Sequence, residues 1–336
     1  MQLKPINQQV VVIVGATSGI GRAAALRFGE QGARLLVSSR SQEELDQLVD
    51  EISSRGGHAL AFAADTSDYE GVQEIARIAA NSYGRIDTWV HSAAVMMYAP
   101  FSETTPQEFK RVIEVNLLGQ VYGAMAALPH LKREGRGALI LLSSIEARRS
   151  LPYQSAYAAS KHGMIGFIDS LRTEVEEAGL PINVANIMPS GINTPLYEKA
   201  LTRLGVQPQP VPPIYDPELV ADAILFAAEN PARDIPIGGA GKALALTERL
   251  SPRLADKIVE RIAFKGQKTH KPKSDHAPNN LFEHLPGYDQ VHGPYEEQTR
   301  STSIYTWLRT RPAFAWMVTG AAVAMVALVS NRIQKG

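Results

Sequence analysis

Short, almost continuously apolar runs recur from residue 9 to about residue 240, and segments with helical periodicity separate them. Apolar residues on both faces of a strand are typical of a parallel sheet that helices cover on both sides. The alternation therefore predicts an α/β fold, a doubly wound parallel sheet of Rossmann type with about seven strands. The predicted strands are Val10–Val14, Arg34–Ser38, Ala59–Ala63, Thr88–Ser92, Ala138–Ser143, Ile182–Ile187 and a short one near Asp234–Ile237. The predicted crossover helices include Ser41–Ser54, Ser155–Ala178 and Asp216–Glu229.

The pattern changes near residue 245, so we place the end of the α/β catalytic domain there (1–245). Ser251–Phe264 has apolar residues at helical spacing and predicts a short amphipathic helix. Lys265–Thr306 is rich in Lys, His, Pro, Asn and Gly without a sustained period, and we interpret it as an extended connection. The region 246–311 is thus predicted to be a helical and irregular extension of the sheet domain.

An uncharged, strongly apolar stretch runs from Ala313 to Ser330, with cationic residues on both flanks. At 1.5 Å per residue such a helix would span roughly 27 Å, close to the bilayer core of about 30 Å. The flanking cations, and Trp307 and Trp316 near one edge, favour a transmembrane helix over 312–332 above a buried core helix. We therefore expect a membrane-anchored protein with its catalytic domain in the cytoplasm.

Composition and charge narrow the function. Lys+Arg and Asp+Glu both number 34, so there is no basic excess to neutralise phosphates, and a nucleic-acid partner is not expected. The chain has no cysteine, which excludes disulfides, thiolate nucleophiles and cysteine-ligated metals. The N-terminus is polar, and the first apolar run is too short for a signal-peptide core. We predict a cytosolic catalytic domain without a metal site.

A glycine-rich segment follows the first predicted strand: Gly15-Ala16-Thr17-Ser18-Gly19-Ile20-Gly21, before a helix-forming run. Glycines let the backbone turn tightly and approach a pyrophosphate without a Cβ in the way. The helix N-terminus offers free N–H groups to the phosphates, and the hydroxyls of Thr17 and Ser18 add donors. An ordinary strand–helix turn is the alternative, but the position between a first strand and a helix favours a dinucleotide.

Ser39 and Arg40 close the second predicted strand, about twenty residues beyond the glycines. A site that prefers NAD usually places a carboxylate there to hold the ribose 2′-hydroxyl. A serine hydroxyl and a guanidinium would instead attract a 2′-phosphate. The pair therefore predicts NADP(H) as the cofactor, with a merely solvated Arg40 as the alternative.

Tyr157 and Lys161 stand four residues apart at the start of a predicted helix, which places them on one face. An unperturbed tyrosine has a pKa of about 10, and a nearby ammonium is expected to lower that pKa. Such a phenol can exchange a proton with a carbonyl oxygen as hydride arrives. Ser144, at the end of the fifth predicted strand, is placed to hydrogen-bond the same oxygen.

The order and spacing of these motifs resemble the short-chain dehydrogenase/reductase family over about the first 240 residues. The motifs that carry the resemblance are the glycine loop, Asp65-Thr66, Val115-Asn116, Ser143-Ser144, Tyr157-x-x-x-Lys161 and Met188–Pro195. The resemblance implies an NADP(H)-dependent oxidoreductase of the single-domain type. It would transfer hydride between the nicotinamide and a carbonyl or alcohol substrate, and it would form a homo-oligomer.

The resemblance also implies roles by position. Tyr157 would be the catalytic acid/base, Lys161 would bind the nicotinamide ribose and tune Tyr157, and Ser144 would orient the substrate oxygen. Asn116 would hold a water that links Lys161 to solvent in a proton relay. Asp65 would contact the adenine edge, or else cap the helix that follows. Further cofactor contacts are implied at Thr66, Ser92, Ala93, Pro189, Ile192 and Thr194.

The chain departs from the family pattern at three places. His91-Ser92-Ala93-Ala94 stands where Asn-Asn-Ala-Gly is usual, Val14 replaces a threonine, and Pro189-Ser190 replaces Pro-Gly. These changes bear on hydrogen bonding around the sheet and the ribose and leave the catalytic set intact. We predict that His91 is a strand-end histidine with satisfied hydrogen bonds, not a catalyst.

The segments that leave the carboxyl ends of the strands are apolar, and they predict a bulky hydrophobic substrate. They are Val95–Tyr98, Phe101, Leu151–Tyr153 and Leu196-Tyr197. Glu146, Arg148 and Arg149 follow the fifth predicted strand, and we interpret them as a solvated loop or an interface pair.

Two other functions are compatible with this fold. A catalytically silent, membrane-tethered NADP(H)-binding sensor or scaffold is one, but such a module does not need the set Asn116, Ser144, Tyr157 and Lys161. A sugar-nucleotide epimerase or dehydratase is the other. That branch usually needs a larger substrate domain than Lys265–Thr306 offers.

Overall fold

The computed structural model describes residues 2–310, and the predicted membrane helix at 312–332 lies outside them. Seven parallel strands form the central sheet in the order β7-β6-β5-β4-β1-β2-β3. The strands are β1 (Val10–Val14), β2 (Arg34–Ser39), β3 (His58–Ala63), β4 (Thr88–His91), β5 (Gly137–Leu142), β6 (Ile182–Pro189) and β7 (Asp234–Ile237). The strand order reverses direction between β1 and β4, which is where such sheets bind ligands at their carboxyl ends. The predicted α/β fold is confirmed.

Helices cover both faces of the sheet. Their bounds are α1 (Gly19–Glu30), α2 (Gln42–Ser54), α3 (Tyr69–Tyr83), α4 (Pro106–Ile113), α5 (Gly119–Arg133), α6 (Ser155–Glu177), α7 (Leu196–Lys199), α8 (Pro217–Glu229), α9 (Gly239–Leu250), α10 (Pro252–Gly266) and α11 (Ile304–Arg309). Side chains of α1, α2 and α8 share one core with the sheet, and those of α3, α5 and α6 share the other. Side-chain caps fix several helix starts, at Ser41, Asp68, Thr105 and Asp216.

A π-helical turn, Glu114–Leu118, joins α4 to α5. Such turns insert one residue into a helix and occur mostly at functional sites. Among the described residues, the continuous helix Pro106–Arg133 is long and apolar enough to cross a membrane by length and composition. This helix packs on the sheet and against α3 and α6, as a core helix does. It therefore gives no separate support for membrane association, which stays a prediction.

The chain beyond α10 differs from the extended connection that its composition predicts. Lys268–Pro272 pairs antiparallel with Val206–Pro208, and Thr299–Arg300 pairs parallel with Ile214–Tyr215. We call residues 268–300 the returning segment, because they run back over the carboxyl ends of the sheet. The segment shows no hydrophobic periodicity in its sequence. It is held in place by hydrogen bonds to backbone carbonyl oxygens and by two very short strand pairings, and neither requires such a periodicity. Helix α9, which precedes α10, is likewise not predicted by the sequence pattern.

Candidate active site

The glycine loop joins β1 to α1 and needs its glycines for steric reasons. Gly15 has a φ of +82°, and a Cβ there would lie 2.5 Å from the backbone nitrogen of Ala93. A Cβ on Gly21 would lie 2.0 Å from the carbonyl oxygen of Gly15. Ser92, at one of the departures from the family pattern, donates hydrogen bonds to the carbonyl oxygens of Val14 and Gly15. The loop is therefore a backbone cradle that larger residues would fill.

A cleft opens at the carboxyl ends of β1 to β4, above this loop. Most residues that the sequence predicts to contact the cofactor line it: Gly15, Thr17, Ser18, Gly19, Ile20, Gly21, Ser39, Arg40, Asp65, Thr66, Ser92, Ala93 and Thr194. Lys161, Pro189 and Ile192 belong to the same predicted set but are buried and do not line the cleft. The structure thus brings Thr194, which lies far along the chain, to the same cleft as the predicted cofactor residues between Gly15 and Ala93.

Two cationic side chains, Arg40 and Lys199, line the cleft. The Nη2 atom of Arg40 donates to the carbonyl oxygen of Asn280 over 3.0 Å, whereas its buried Nη1 has no hydrogen-bond partner among residues 2–310. Lys199, which sequence reasoning missed, donates from Nζ to the Ser18 hydroxyl over 2.7 Å. Burial lowers the pKa of Lys199 to about 8. An unpaired guanidinium nitrogen beside a second cation is a fitting place for a phosphate.

Asp65 follows β3, and its surroundings exclude one of its two predicted roles. The carboxylate accepts hydrogen bonds from the backbone and hydroxyl of Ser67 and from Arg111 Nη2. Burial opposes the charge, but these hydrogen bonds hold the pKa of Asp65 below its usual range. The N-terminal cap of α3 is Asp68, which accepts from the backbone of Gly71. Asp65 is therefore not a helix cap, and a contact with the adenine edge stays a prediction.

The returning segment closes the outer side of the cleft. Its residues Asn280, His284 and Leu285 line the cleft. The backbone N–H of Gly19, in the glycine loop, donates to the carbonyl oxygen of Gln290 over 3.0 Å. His292 pairs with Asp216 and Glu218 at the start of α8, which ties the segment to the sheet domain. Sequence reasoning missed these contacts because they join residues far apart along the chain, and the bond from Gly19 to Gln290 uses backbone atoms that leave no side-chain motif.

Tyr157 and Lys161 lie on the first turns of α6, and both are buried. Lys161 Nζ donates to the carbonyl oxygen of Leu142 over 2.9 Å and lies 5.5 Å from the centroid of the Tyr157 ring. Burial and the negative charge of Glu146 raise the pKa of Tyr157, against a hydrogen bond from Ser144 that lowers it. The predicted lowering by Lys161 is therefore wrong for the isolated chain. The Lys161 ammonium donates to the backbone carbonyl of Leu142, and burial lowers the pKa of Lys161 to about 7.

Ser144 lies directly after β5, where it caps the short turn Ile145–Ala147. Its hydroxyl accepts from the backbone of Glu146, donates to the carbonyl oxygen of Pro189 over 3.4 Å, and acts to lower the pKa of the neighbouring Tyr157. The turn therefore places the Ser144 and Tyr157 hydroxyls side by side. Two neighbouring hydroxyls can bind one substrate oxygen, as the sequence predicts.

Asn116 occupies the π-helical turn and is fully buried. Its side chain accepts from the backbone nitrogen of Val95 and donates to the carbonyl oxygen of Val95, over 2.8 and 2.9 Å. The amide thus holds the chain where it leaves β4, on the wall of the cleft. Its part in a proton relay with Lys161 stays a prediction.

His91, the last residue of β4, is also fully buried. Its Nε2 atom lies 2.8 Å from the Thr66 hydroxyl, and its Nδ1 atom lies 3.5 Å from the indole nitrogen of Trp89. Burial lowers the pKa of His91 to about 3, so the ring is neutral. It is a satisfied structural histidine, as the sequence predicts.

An apolar cavity of about 350 Å³ adjoins Ser144. Three of the predicted apolar residues line it, namely Tyr98, Leu151 and Tyr197. The rest of its wall comes from the loop after β5, Gln154, residues 190–191 and 210–213, and helices α9 and α10. Met96 and Met97 instead pack into a core cluster with Tyr157, and Phe101 is exposed. The cavity therefore exists where the sequence predicts it, with different walls.

The interpretation of the loop after β5 as solvated is wrong for two of its three charged residues. Arg148 is exposed, but Glu146 is buried and lines the cavity. Arg149 forms ion pairs of 2.9 and 2.8 Å with Glu248 of α9 and Asp256 of α10. These ion pairs link the loop after β5 to α9 and α10. The sequence does not predict that these two helices pack against the loop.

Comparison with known proteins adds independent evidence. A family model described as short chain dehydrogenase matches residues 9–204. An uncharacterized oxidoreductase of Bacillus subtilis, YxnA, is 38% identical over 97% of this chain and 92% of its own length. Dehydrogenase/reductase SDR family member 7B of Bos taurus is 32% identical over 79% of this chain and 84% of its own.

A solved structure shares the fold. The alcohol dehydrogenase of the archaeon Thermococcus sibiricus, complexed with 5-hydroxy-NADP, superposes with a TM-score of 0.60. The match is 24% identical in sequence and covers 68% of this chain and 95% of the other.

Proposed function

This chain belongs to the short-chain dehydrogenase/reductase family of oxidoreductases, and on that premise we propose that it uses NADP(H) to interconvert a carbonyl and an alcohol on a hydrophobic substrate. One observation carries the proposal. The Ser144 hydroxyl lies near the Tyr157 phenol and acts to lower the pKa of that phenol, and Ser144 lines an apolar cavity. A catalytically silent binding module has no need of that arrangement.

The cleft residues fit a phosphorylated dinucleotide. The cradle at Gly15 and Gly21 leaves space that a Cβ would fill, as a bound pyrophosphate requires. The unpaired Nη1 of Arg40 and the ammonium of Lys199 supply positive charge where a 2′-phosphate would add negative charge. These residues support NADP(H) over NAD(H). When bound, the nicotinamide supplies or accepts the hydride.

The chain's own residues manage the proton. The raised pKa of Tyr157 keeps the phenol protonated near neutral pH, so it can donate its proton to the substrate oxygen during reduction. Ser144 holds that oxygen through its hydroxyl. In the oxidation direction, Tyr157 must first pass its proton to the neutral amine of Lys161, and the phenolate oxygen then takes the proton of the alcohol. Lys161, with its lowered pKa, is a group from which a proton could return to Tyr157.

The proposal is tested by mixing the purified full chain with NADPH and a panel of apolar ketones and aldehydes, and following absorbance of the nicotinamide. We expect turnover that depends on the carbonyl compound and rises with its apolar area. NADPH binding without turnover of any carbonyl or alcohol would favour the silent sensor instead. Turnover with a falling trend along a homologous series would reject only the hydrophobic substrate.

We further propose that the apolar stretch in 312–332 anchors the protein to a membrane, with the catalytic domain in the cytoplasm, and that the protein forms a homo-oligomer. The anchor would hold the apolar cavity near compounds dissolved in lipid. The support for this proposal is the sequence pattern and the hydrophobic lining of the cavity.

A further inference from the structure

The apolar cavity beside Ser144 contains a carboxyl group that the proposed chemistry does not use. Glu146 is 8% exposed and sits in the short turn after β5. Its carboxyl group accepts a hydrogen bond from the backbone of Leu151, but the buried Oε2 atom has no partner in the described part of the chain. Burial raises the pKa of Glu146 to about 8. Buried polar atoms in folded proteins nearly always have a hydrogen-bond partner, so this oxygen is open to a partner that enters the cavity.

Gln154, which lines the same cavity, has a second unpaired polar atom. The hydrogen bonds around it show that this atom is the amide oxygen. Gln267 donates from its amide nitrogen to the carbonyl oxygen of Ala263, so its amide oxygen is free to accept. Gln154 donates to that oxygen over 2.5 Å. The amide oxygen of Gln154, which is buried, is therefore left without a partner between residues 2 and 310. This atom can only accept a hydrogen bond.

Arg149 adds a donor to these groups. It also lines the cavity, and its buried Nε–H lacks a partner among the described residues, although both terminal nitrogens form ion pairs. The paired carboxylates of Glu248 and Asp256 outnumber the single guanidinium, and Glu146 adds further acidity. The site therefore offers both acceptors and a donor without offering net positive charge.

A neutral hydroxyl group satisfies these requirements better than other common groups. A hydroxyl both donates and accepts, so it can pair with Glu146 in either protonation state, with Gln154, and with Arg149. A ketone oxygen only accepts, and a carboxylate would meet the surplus of acidic groups. An apolar substituent would leave the buried polar atoms unpaired, which weakens binding.

We propose that Glu146 and Gln154, with Arg149 Nε, form a polar subsite that recognises a hydroxyl group on the hydrophobic substrate, separate from the oxygen that reacts at Ser144 and Tyr157. The substrate class is then a neutral, largely apolar compound with two oxygen functions, a hydroxyketone or the matching diol. This inference rests on the proposed function and names its substrate more closely. Glu146 acts here as a specificity residue and is not the proton donor, although its charge also raises the pKa of Tyr157.

The test compares 2-octanone, the hydroxy-2-octanones that carry a hydroxyl at successive carbons, and 2-oxooctanoate as substrates with NADPH. The full-length chain is compared with E146L, Q154L and, as the matched control in the same loop, R148A. For wild type and R148A we expect at least one hydroxy isomer to exceed 2-octanone in kcat/KM by about tenfold, the value of one buried hydrogen bond. E146L and Q154L should remove that advantage, so that the ratio of kcat/KM for the best hydroxy ketone to kcat/KM for 2-octanone falls to about one, whatever the variants do to the absolute rates. Equal kcat/KM for all isomers in wild type, or a preference for 2-oxooctanoate, would overturn the subsite.

A binding measurement separates failure of the subsite from failure of the proposed function. Calorimetry in the presence of NADPH measures the affinity of the octanediols and of 2-octanol for wild type, E146L and E146Q. Tighter binding of a diol that is lost in E146L and retained in E146Q supports the subsite, even if no octanone is reduced. Reduction of 2-octanone with no diol preference leaves the proposed function standing and removes the subsite.

Discussion

The nucleotide side and the substrate side of the cleft take their shapes from different parts of the chain. The nucleotide side is built on the glycine loop and the carboxyl ends of β1 to β4, and Lys199 and the returning segment complete its outer wall. The substrate side, the apolar cavity, collects residues 210–213, α9 and α10 around the loop after β5. The first is dictated by local backbone geometry, as at Gly15 and Gly21. The second depends on long-range packing, as between Arg149 and Glu248.

The difference has a consequence for function. A backbone cradle binds the part of a cofactor that is common to many proteins, and few side chains are needed for it. A cavity built from distant segments can change its walls without disturbing the sheet. We therefore expect changes on the nucleotide side to affect binding of the cofactor. Changes on the substrate side should alter the choice of substrate.

The largest expected effect lies where the two sides meet. Tyr157→Phe keeps the ring and removes the transferable proton, so kcat should fall by about 10²- to 10⁴-fold. Calorimetry should show an almost unchanged affinity for NADPH. Tyr83→Phe, a half-buried tyrosine that bonds the carbonyl oxygen of Leu35, is the matched control and should keep full activity. Near-normal turnover of the Tyr157 variant would remove Tyr157 as the acid/base.

The next effect tests the backbone cradle. A Cβ at Gly21 would lie 2.0 Å from the oxygen of Gly15, and the backbone would have to move to accept it. Gly21→Ala should weaken NADPH binding by about a hundredfold in a calorimetric titration. Gly166→Ala is the control, because a Cβ there meets nothing within 4 Å. If both variants bound NADPH equally well, the cradle would not be the nucleotide site.

The preference for NADPH over NADH depends on side chains of the nucleotide side, not on its backbone cradle. Arg40→Asp removes a guanidinium with an unpaired nitrogen and adds repulsion toward a 2′-phosphate. NADPH affinity should drop by about tenfold or more, so that the preference over NADH is erased or reversed. Lys199→Met should weaken NADPH in the same direction by less. Wild-type protein that binds NADH as tightly as NADPH would contradict both expectations.

A smaller effect concerns stability on the substrate side. Burial raises the pKa of Glu146 from 4.5 to about 8, so the folded chain binds the proton more tightly than the unfolded chain. The resulting stability is complete below about pH 4.5 and is lost as pH rises to about 8. Glu146→Gln cannot lose a proton, so its Tm should fall less than that of wild type over this window, by roughly 2–4 °C. Parallel Tm profiles for the two proteins would show that Glu146 does not titrate in this way.

The smallest effect on the cleft is expected from removing the predicted anchor. Ending the chain after Thr310 should move the protein from the membrane fraction to the soluble fraction. NADPH affinity should stay within about twofold, because the residues that form the cleft lie before that point. A full-length chain that stays soluble without detergent would count against the anchor.

The difference between local backbone geometry and long-range packing also explains which features the sequence predicts. Strand β1 and the loop from Gly15 to Gly21 follow from local patterns, since apolar runs and glycines act within a few residues. The pair Tyr157 and Lys161 follows from helical spacing, although the spacing does not predict that burial would govern both pKa values. Such shifts depend on surroundings from the whole fold.

Other features carried no sequence signal. Asn280 meets Arg40 through a backbone carbonyl oxygen, which any residue can supply. Lys199 reaches Ser18 from the end of α7, 181 residues further along the chain. Glu146 resembles a solvated loop residue because its burial depends on α9 and α10 packing over it. Each of these contacts is fixed by tertiary structure and not by local pattern.

The most direct test of hydride transfer uses NADPH that carries deuterium at the transferable position of the nicotinamide. The full-length chain is incubated with this cofactor and an apolar ketone, and the product is analysed by mass spectrometry. The account predicts an alcohol with one deuterium on the former carbonyl carbon, and almost none formed by the Tyr157→Phe variant. An alcohol without the label, or no alcohol from any ketone despite tight NADPH binding, would contradict it.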